Sequence, residues 1–160
     1  MVSRNLNNGS TLPRDTRLES IRYANHAKKD DIRTERMEDC LEVIYELIQY
    51  KGYATTIDIS EYLNVSSPSV TKMVQKLNDS GHLNYEKYRG IRLTDKGTLV
   101  AKNIRERHGL LAEFLQIIGV DEDTANKDAE GIEHHLQPKT LAKLERFIKD
   151  IKQRREIKSR

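Results

Sequence analysis

Cysteine is nearly absent: Cys40 is the one thiol in 160 residues. That excludes an internal disulfide and a four-cysteine zinc site. The N-terminus also lacks the apolar stretch of a secretory signal, so a reducing, cytoplasmic setting is expected. Long hydrophobic runs are missing too. Uncharged stretches such as residues 114–120 fall far short of the roughly 20 apolar residues that cross a bilayer, and no membrane partner is expected. The length excludes a large multidomain enzyme and allows one domain or two small ones. With 36 % hydrophobic and 33 % charged residues, a modest core is within reach.

A strong charge of one sign is also lacking. Lys and Arg total 28 against 25 Asp and Glu, and a formal charge of +3 selects no polyanion by itself. Distribution says more. Residues 66–96 carry six basic groups, Lys72, Lys76, Lys87, Arg89, Arg92 and Lys96, against three acidic ones. A polyanion would dock at this local excess.

Residues 1–36 show no sustained apolar period and read as a flexible leader or extension, with a short helix over residues 16–27 as another reading. From Met37 the pattern changes. Leu41, Ile44, Tyr45 and Ile48 mark one face of an amphipathic helix that stops at Gly52. Thr55 or Thr56 then caps a short helix carrying Ile57, Ile59 and Leu63. Ser66 or Ser67 offers the next cap, and Pro68 suits the first turn, where its missing N–H costs nothing. Val70, Met73, Val74 and Leu77 form the inward stripe of this third helix. Two short apolar runs around residues 83–85 and 91–93, separated by a basic tip, read as a hairpin. Beyond it, helices are expected over residues 95–118, 122–136 and 138–157.

Helix, short helix, turn, polar basic helix and basic-tipped hairpin over residues 37–96 form the layout of a winged helix-turn-helix. A helix of this kind fits the major groove of double-stranded DNA, and a wing brings cations to neighbouring phosphates. Ser67, Ser69, Thr71, Lys72, Gln75 and Lys76 are the candidates on the helix, Lys87 and Arg89 those on the wing. For an isolated helix the same face would be ordinary solvated surface; the surrounding elements favour DNA.

A second constellation is acidic. Asp39 and Glu42 lie three residues apart near the start of the first apolar helix, a spacing that serves either helix-dipole stabilisation or metal binding. Glu130, Glu133 and His134 fall at i, i+3 and i+4, and one helical face would present all three. His108 sits on the long helix between. Carboxylates brought together repel unless a cation offsets their charge, so convergence of these elements would make an oxygen-rich divalent-metal site. The adjacent histidines do not fit the metalloprotease spacing. His135 points away from His134 and reads as a packing or supporting residue, and Cys40 as a buried thiol.

The strings MEDCLEVIY (37–45), SVTKMVQKL (69–77), YEKYRG (85–90), IIGVDE (117–122) and EGIEHH (130–135) resemble the DtxR family of metal-dependent transcriptional repressors. The resemblance covers about residues 37–150. It implies a mainly α fold: a winged helix-turn-helix with a small β-wing over residues 37–96, then an all-helical metal-binding and dimerisation domain over 97–160. It further implies a homodimer that binds operator DNA when Mn(II) is bound and represses manganese uptake genes. Matching the family's ligands points to Asp39, Glu42, His108, Glu130, Glu133 and His134, with shared carboxylates able to bridge two manganese ions per subunit. In the family's iron-responsive branch the positions of Asp39 and Glu130 hold Met and Cys. Oxygen donors at both fit Mn(II), a weak binder that is selected by ligand type and geometry. No SH3-like domain is expected after Arg160.

Two rival readings differ in class. A metal-independent winged-helix regulator would sense an organic ligand, and its operator binding would ignore a chelator. A two-metal hydrolase would use the same carboxylates and imidazoles to activate water. The chain offers no pocket-forming α/β scaffold, so no enzyme is expected.

Overall fold

Between Pro13 and Gly52 the sequence contains neither proline nor glycine, and nothing in that interval terminates a helix. In the computed structural model, which describes residues 16–86 and 90–158, with side chains for 34–86, 90–155 and 157, the outcome is one long helix, α1 (Thr16–Lys51). It starts well upstream of Met37, and residues read as a leader are helical from Thr16. The chain parts into residues 1–34 and 35–160; the elements below belong to the second unit.

Gly52, at φ +84°, turns the chain out of α1. A reciprocal cap then starts α2 (Thr56–Tyr62). The Thr55 hydroxyl accepts the Asp58 N–H at 3.1 Å, and the Asp58 carboxylate accepts the Thr55 N–H at 3.1 Å. Lys51 adds an ion pair to Asp58 at 2.6 Å, which ties the end of α1 to the start of α2. Ile59 is fully buried, whereas Ile57, carried by the same short helix, is 64 % exposed. In a helix of two turns, residues two apart lie on opposite sides.

Pro68 lies in the first turn of α3 (Ser67–Asp79), as its chemistry requires. Ser66 occupies the N-cap position, but its hydroxyl caps no backbone N–H; it pairs with the Ser69 hydroxyl at 2.9 Å. Neither serine therefore supplies the expected side-chain cap. Val70, Val74 and Leu77 are buried and Met73 packs beside them. The hairpin of β1 (Leu83–Glu86) and β2 (Gly90–Leu93) is antiparallel, with Leu83 opposite Leu93 and Tyr85 opposite Ile91. Leu83 and Ile91 point into the core. Tyr85 also packs there, and its N–H donates to Asn78 Oδ1 at 2.9 Å.

Thr94 caps α4 (Asp95–Ile117) by accepting the Gly97 N–H at 3.1 Å. Gly97 is required by contact: a Cβ there would come within 1.8 Å of the His82 carbonyl oxygen. The Thr94 hydroxyl donates to the Gly81 carbonyl at 2.8 Å, so the first turn of α4 is locked to the turn between α3 and β1. At the far end Gly119, at φ +104°, reverses the chain into α5 (Glu122–Ile132), which Asp121 caps. α6 (Pro138–Lys158) follows.

Two apolar clusters result. The first joins Cys40, Leu41, Ile44 and Leu47 of α1 to Ile59, Val70, Val74, Leu77, Leu83 and Ile91. The second centres on Leu111, Ala112 and Ala129, with Leu136, Leu141 and Leu144 partly buried against it. Phe114 meets Phe147 edge-on at 6.0 Å. Among the described residues no helix is long and apolar enough to cross a membrane.

Candidate metal centre and nucleic-acid interface

Burial at the α1 face that carries Leu41 and Ile44 dictates what lies alongside it. Asp39 and Glu42 are held half-buried beside that core, and with Glu130 they line a cavity of about 520 Å³ that also includes Glu46, Tyr50 and Tyr62. His108, on α4, places Nδ1 3.1 Å from Glu133 and 3.4 Å from Glu130. Its Nε2 faces Asn126 Oδ1 at 3.2 Å, while the Asn126 amide group donates to the Glu122 carbonyl at 2.8 Å. The side-chain amide is thus oriented to accept from Nε2–H, and Nδ1 is the nitrogen turned toward the carboxylates.

The helix that carries Glu130 is shorter than expected. α5 ends at Ile132 instead of residue 136, and Glu133 is its C-cap, with φ −61° and ψ −32°. Gly131 weakens the last turn, and Pro138 disfavours helical geometry just before it. Glu130, Glu133 and His134 are therefore not three positions on one regular helical face. His134 leaves the helix and turns to α1, with Nε2 3.1 Å from Asp39 and Nδ1 3.0 Å from Glu38. His135 is exposed and 3.4 Å from Glu35, a rim position and not the packed or supporting role expected of it.

Glu133 joins these two clusters. Its side chain has 0 % exposure, with one oxygen 3.1 Å from His108 Nδ1 and the other, Oε1, 3.4 Å from His134 Nε2. Oε1 has no hydrogen-bond partner. Burial, reinforced by the negative charges of Glu42 and Glu130, raises the Glu133 pKa well above the ordinary carboxylate value. Glu42 is raised as well, first by burial and then by Glu130. The His134 pKa is raised too, to about 10: hydrogen bonds to Asp39 and Glu38 favour its protonated form against its burial. A buried carboxylate without a full set of partners is costly, and a divalent cation would relieve both that deficit and the mutual repulsion. The donors suit a hard cation: carboxylate oxygens and two imidazoles, with no thiolate. Cys40 is buried, and its thiol is pushed up to about 12 by burial and by Asp39, so it stays protonated and inert.

Sequence reasoning missed Glu38 and Arg107. Arg107 donates to Glu38 at 2.7 Å, and that carboxylate also meets His134. The hydrogen bond to His134 comes first, and Arg107 second, in holding the Glu38 pKa below its usual value against its burial. No spacing rule flags either residue, since the two lie on separate helices.

All six α3 candidates, Ser67, Ser69, Thr71, Lys72, Gln75 and Lys76, are exposed on the side opposite Val70, Val74 and Leu77. Thr71 spends its hydroxyl proton on the Ser67 carbonyl at 3.0 Å, but its oxygen can still accept. Lys87 and Arg89 lie outside the described residues. Arg92, on β2, is exposed beside the wing.

A winged helix joined to a helical half that gathers carboxylates and imidazoles is the architecture of a metal-dependent DNA-binding regulator. Two family models match: iron dependent repressor, N-terminal DNA binding domain, over residues 33–91, and iron dependent repressor, metal binding and dimerisation domain, over 94–159. The chain belongs to the DtxR family of metal-dependent transcriptional repressors, within its MntR group. It is 48 % identical over 124 residues to the HTH-type transcriptional regulator MntR of Lysinibacillus sphaericus, covering 78 % of this chain and 89 % of that one. With MntR of Bacillus subtilis it shares 48 % over 130 residues, covering 79 % and 92 %. Among solved structures, the manganese regulator SloR is similar at a TM-score of 0.62 and 31 % identity, over 71 % of this chain and 53 % of that one. IdeR of T. acidophilum matches at 0.61 and 35 %, over 69 % and 53 %. The chain thus spans about half the length of these two structures. Its relatives are transcriptional regulators, and it is not an enzyme.

Proposed function

We propose that this chain is a manganese-responsive repressor of manganese uptake genes, acting as a homodimer on operator DNA. Asp39, Glu42, His108, Glu130, Glu133 and His134 would hold Mn(II). The observation that carries this reading is Glu133, fully buried, with its two oxygens turned to two different imidazoles and one of them unpartnered. A carboxylate so placed is suited to bridge two cations, one on the His108 side with Glu130 and one on the His134 side with Asp39. Two ions per subunit would match that division.

Bound metal would supply positive charge that cancels the repulsion among Glu42, Glu130 and Glu133. The regulatory work falls to the chain. Asp39 and Glu42 belong to α1, whose opposite flank packs on α3, while His108, Glu130, Glu133 and His134 belong to the helical half. Drawing these groups together restrains α3 relative to α4 and α5. In a dimer the two α3 helices must lie about one DNA turn apart to meet successive half-sites, so restraint of this kind selects the DNA-competent spacing. Gln75 would read an adenine edge, Lys72 and Lys76 would meet phosphates or bases, and Lys87 and Arg89 would flank them.

The test follows duplexes that the protein selects from a random pool in the presence of Mn(II). Fluorescence anisotropy with and without Mn(II) is expected to show metal-dependent binding in the wild type, and no metal response in Glu133→Ala with the fold retained by circular dichroism. Equal binding by chelator-treated and manganese-loaded wild type would overturn the reading.

A further inference from the structure

His134 reaches its place on a turn, not on a helix, so neither its ring plane nor the nitrogen it offers is set by backbone geometry. Something else must hold it. Its Nδ1 lies 3.0 Å from Glu38 Oε2, and the same oxygen accepts from Arg107 at 2.7 Å. The opposite ring nitrogen, Nε2, faces Asp39 at 3.1 Å and Glu133 at 3.4 Å. An ionised carboxylate only accepts hydrogen bonds, so Nδ1 must carry the proton wherever this contact persists. Nε2 donates to Asp39 in the same way in the metal-free chain, and it is the nitrogen that lies among the proposed ligand oxygens of Asp39 and Glu133, where a bound cation would take the place of its proton.

We infer that Glu38, anchored by Arg107, is the positioning residue that fixes the tautomer and ring orientation of His134, so that Nε2 is the atom offered to metal. The inference rests on the metal-binding reading above and adds to it a residue outside the six ligands. Histidine ligands generally donate their other N–H to a carboxylate or carbonyl, which raises basicity and locks the ring. Asn126 does the corresponding work behind His108 with a neutral amide. The charged version behind His134 makes the stronger acceptor, consistent with the lack of helical support at that position. Arg107 comes from α4 and Glu38 from α1, so this contact also spans the two elements that the metal would join.

Free Mn(II) is followed by electron paramagnetic resonance as it is added to chelator-treated wild type, Glu38→Ala, Glu38→Gln, His134→Ala and the Glu38→Ala/His134→Ala double variant. At least one bound ion should be held about 10–100-fold more weakly in Glu38→Ala, with Glu38→Gln between it and wild type because an amide oxygen still accepts. In the His134→Ala background, removing Glu38 should cost nothing further. The metal-free wild type should also show a low-field Nδ1–H proton resonance from His134 that Glu38→Ala loses. If Glu38→Ala does not fold, Glu38→Gln carries the same comparison against His134→Ala. Wild type that takes up no Mn(II) overturns the metal reading as a whole. Wild type that binds while Glu38→Ala binds equally well overturns this inference alone. A loss that persists in full without His134 would make Glu38 a ligand itself, and the positioning role would be wrong.

Discussion

The two apolar clusters of residues 35–160 are built differently. The one beneath α3 is made of large aliphatic side chains from α1, α2, α3 and the hairpin, among them Ile44, Ile59, Leu77 and Leu83, each sealed from solvent. The one joining α4 to α5 and α6 rests on Leu111 and two alanines, and nearby Phe147 and Ile118 are 46 % and 58 % exposed. Buried aliphatic area stabilises at roughly 25 cal/mol per Å², so the winged helix holds its shape through its own packing. The helical half has less such area in one chain. In the proposed function, metal and a second copy supply the remainder, and its stability becomes conditional where that of the DNA-binding half is not.

The largest expected effect would break the contrast from the first side. Ile44→Ala should cost about 2–5 kcal/mol in urea unfolding, and the loss should be the same with Mn(II) or chelator and at any protein concentration. A loss that disappears with metal would mean the winged helix is no more independent than its partner. Next comes metal removal. Mn(II) at about 100 times its dissociation constant should stabilise the protein by about 2.7 kcal/mol, and Glu133→Gln should abolish most of that gain. A thermal midpoint that a chelator leaves unmoved would erase the conditional half of the comparison.

Phe147→Ala tests the second copy. Sedimentation equilibrium should show association weakened by on the order of 1–2 kcal/mol, while the metal-free helical content stays unchanged. An unaltered dimer would remove this face from the interface. The smallest effect sharpens the first side again, at the α1 to α2 joint. Hydrogen bonds from Lys51 and then Thr55 hold the Asp58 carboxyl below its ordinary pKa. The group therefore contributes stability at pH values above the ordinary carboxylate pKa, and that contribution is lost as pH falls through its lowered value. Asp58→Asn should be slightly less stable than wild type at neutral pH and converge on it as pH falls, so that its decline over that acid window is shallower. A decline as steep as wild type would assign the acid sensitivity elsewhere.

Local chemistry made much of this molecule readable. Val70, Met73, Val74 and Leu77 recur at helical spacing, and the structure buries that stripe. Thr94 and Gly119 mark the limits of α4 within a residue or two, because a hydroxyl cap and a left-handed turn are local requirements. Apolar periodicity misplaced the start of α1, since it reads burial, and the sequence upstream of Met37 carries no sustained apolar period. The lack of glycine or proline there was the signal that could have been used. The end of α5 was misjudged for a related reason: spacing placed His134 on a helical face, but the chain breaks before it.

The order of elements, the polar outer face of α3 and the supply of hard donors without thiolates were determined by the sequence alone, since each depends on residue type and near neighbours. Tertiary structure decided which donors meet. Glu133 owes its burial and its unpartnered oxygen to three elements converging on it, and Glu38 is distinguished from any other surface carboxylate by Arg107 and His134, both distant along the chain. Desolvation and hydrogen-bond geometry are properties of a folded neighbourhood, and no window of sequence contains them.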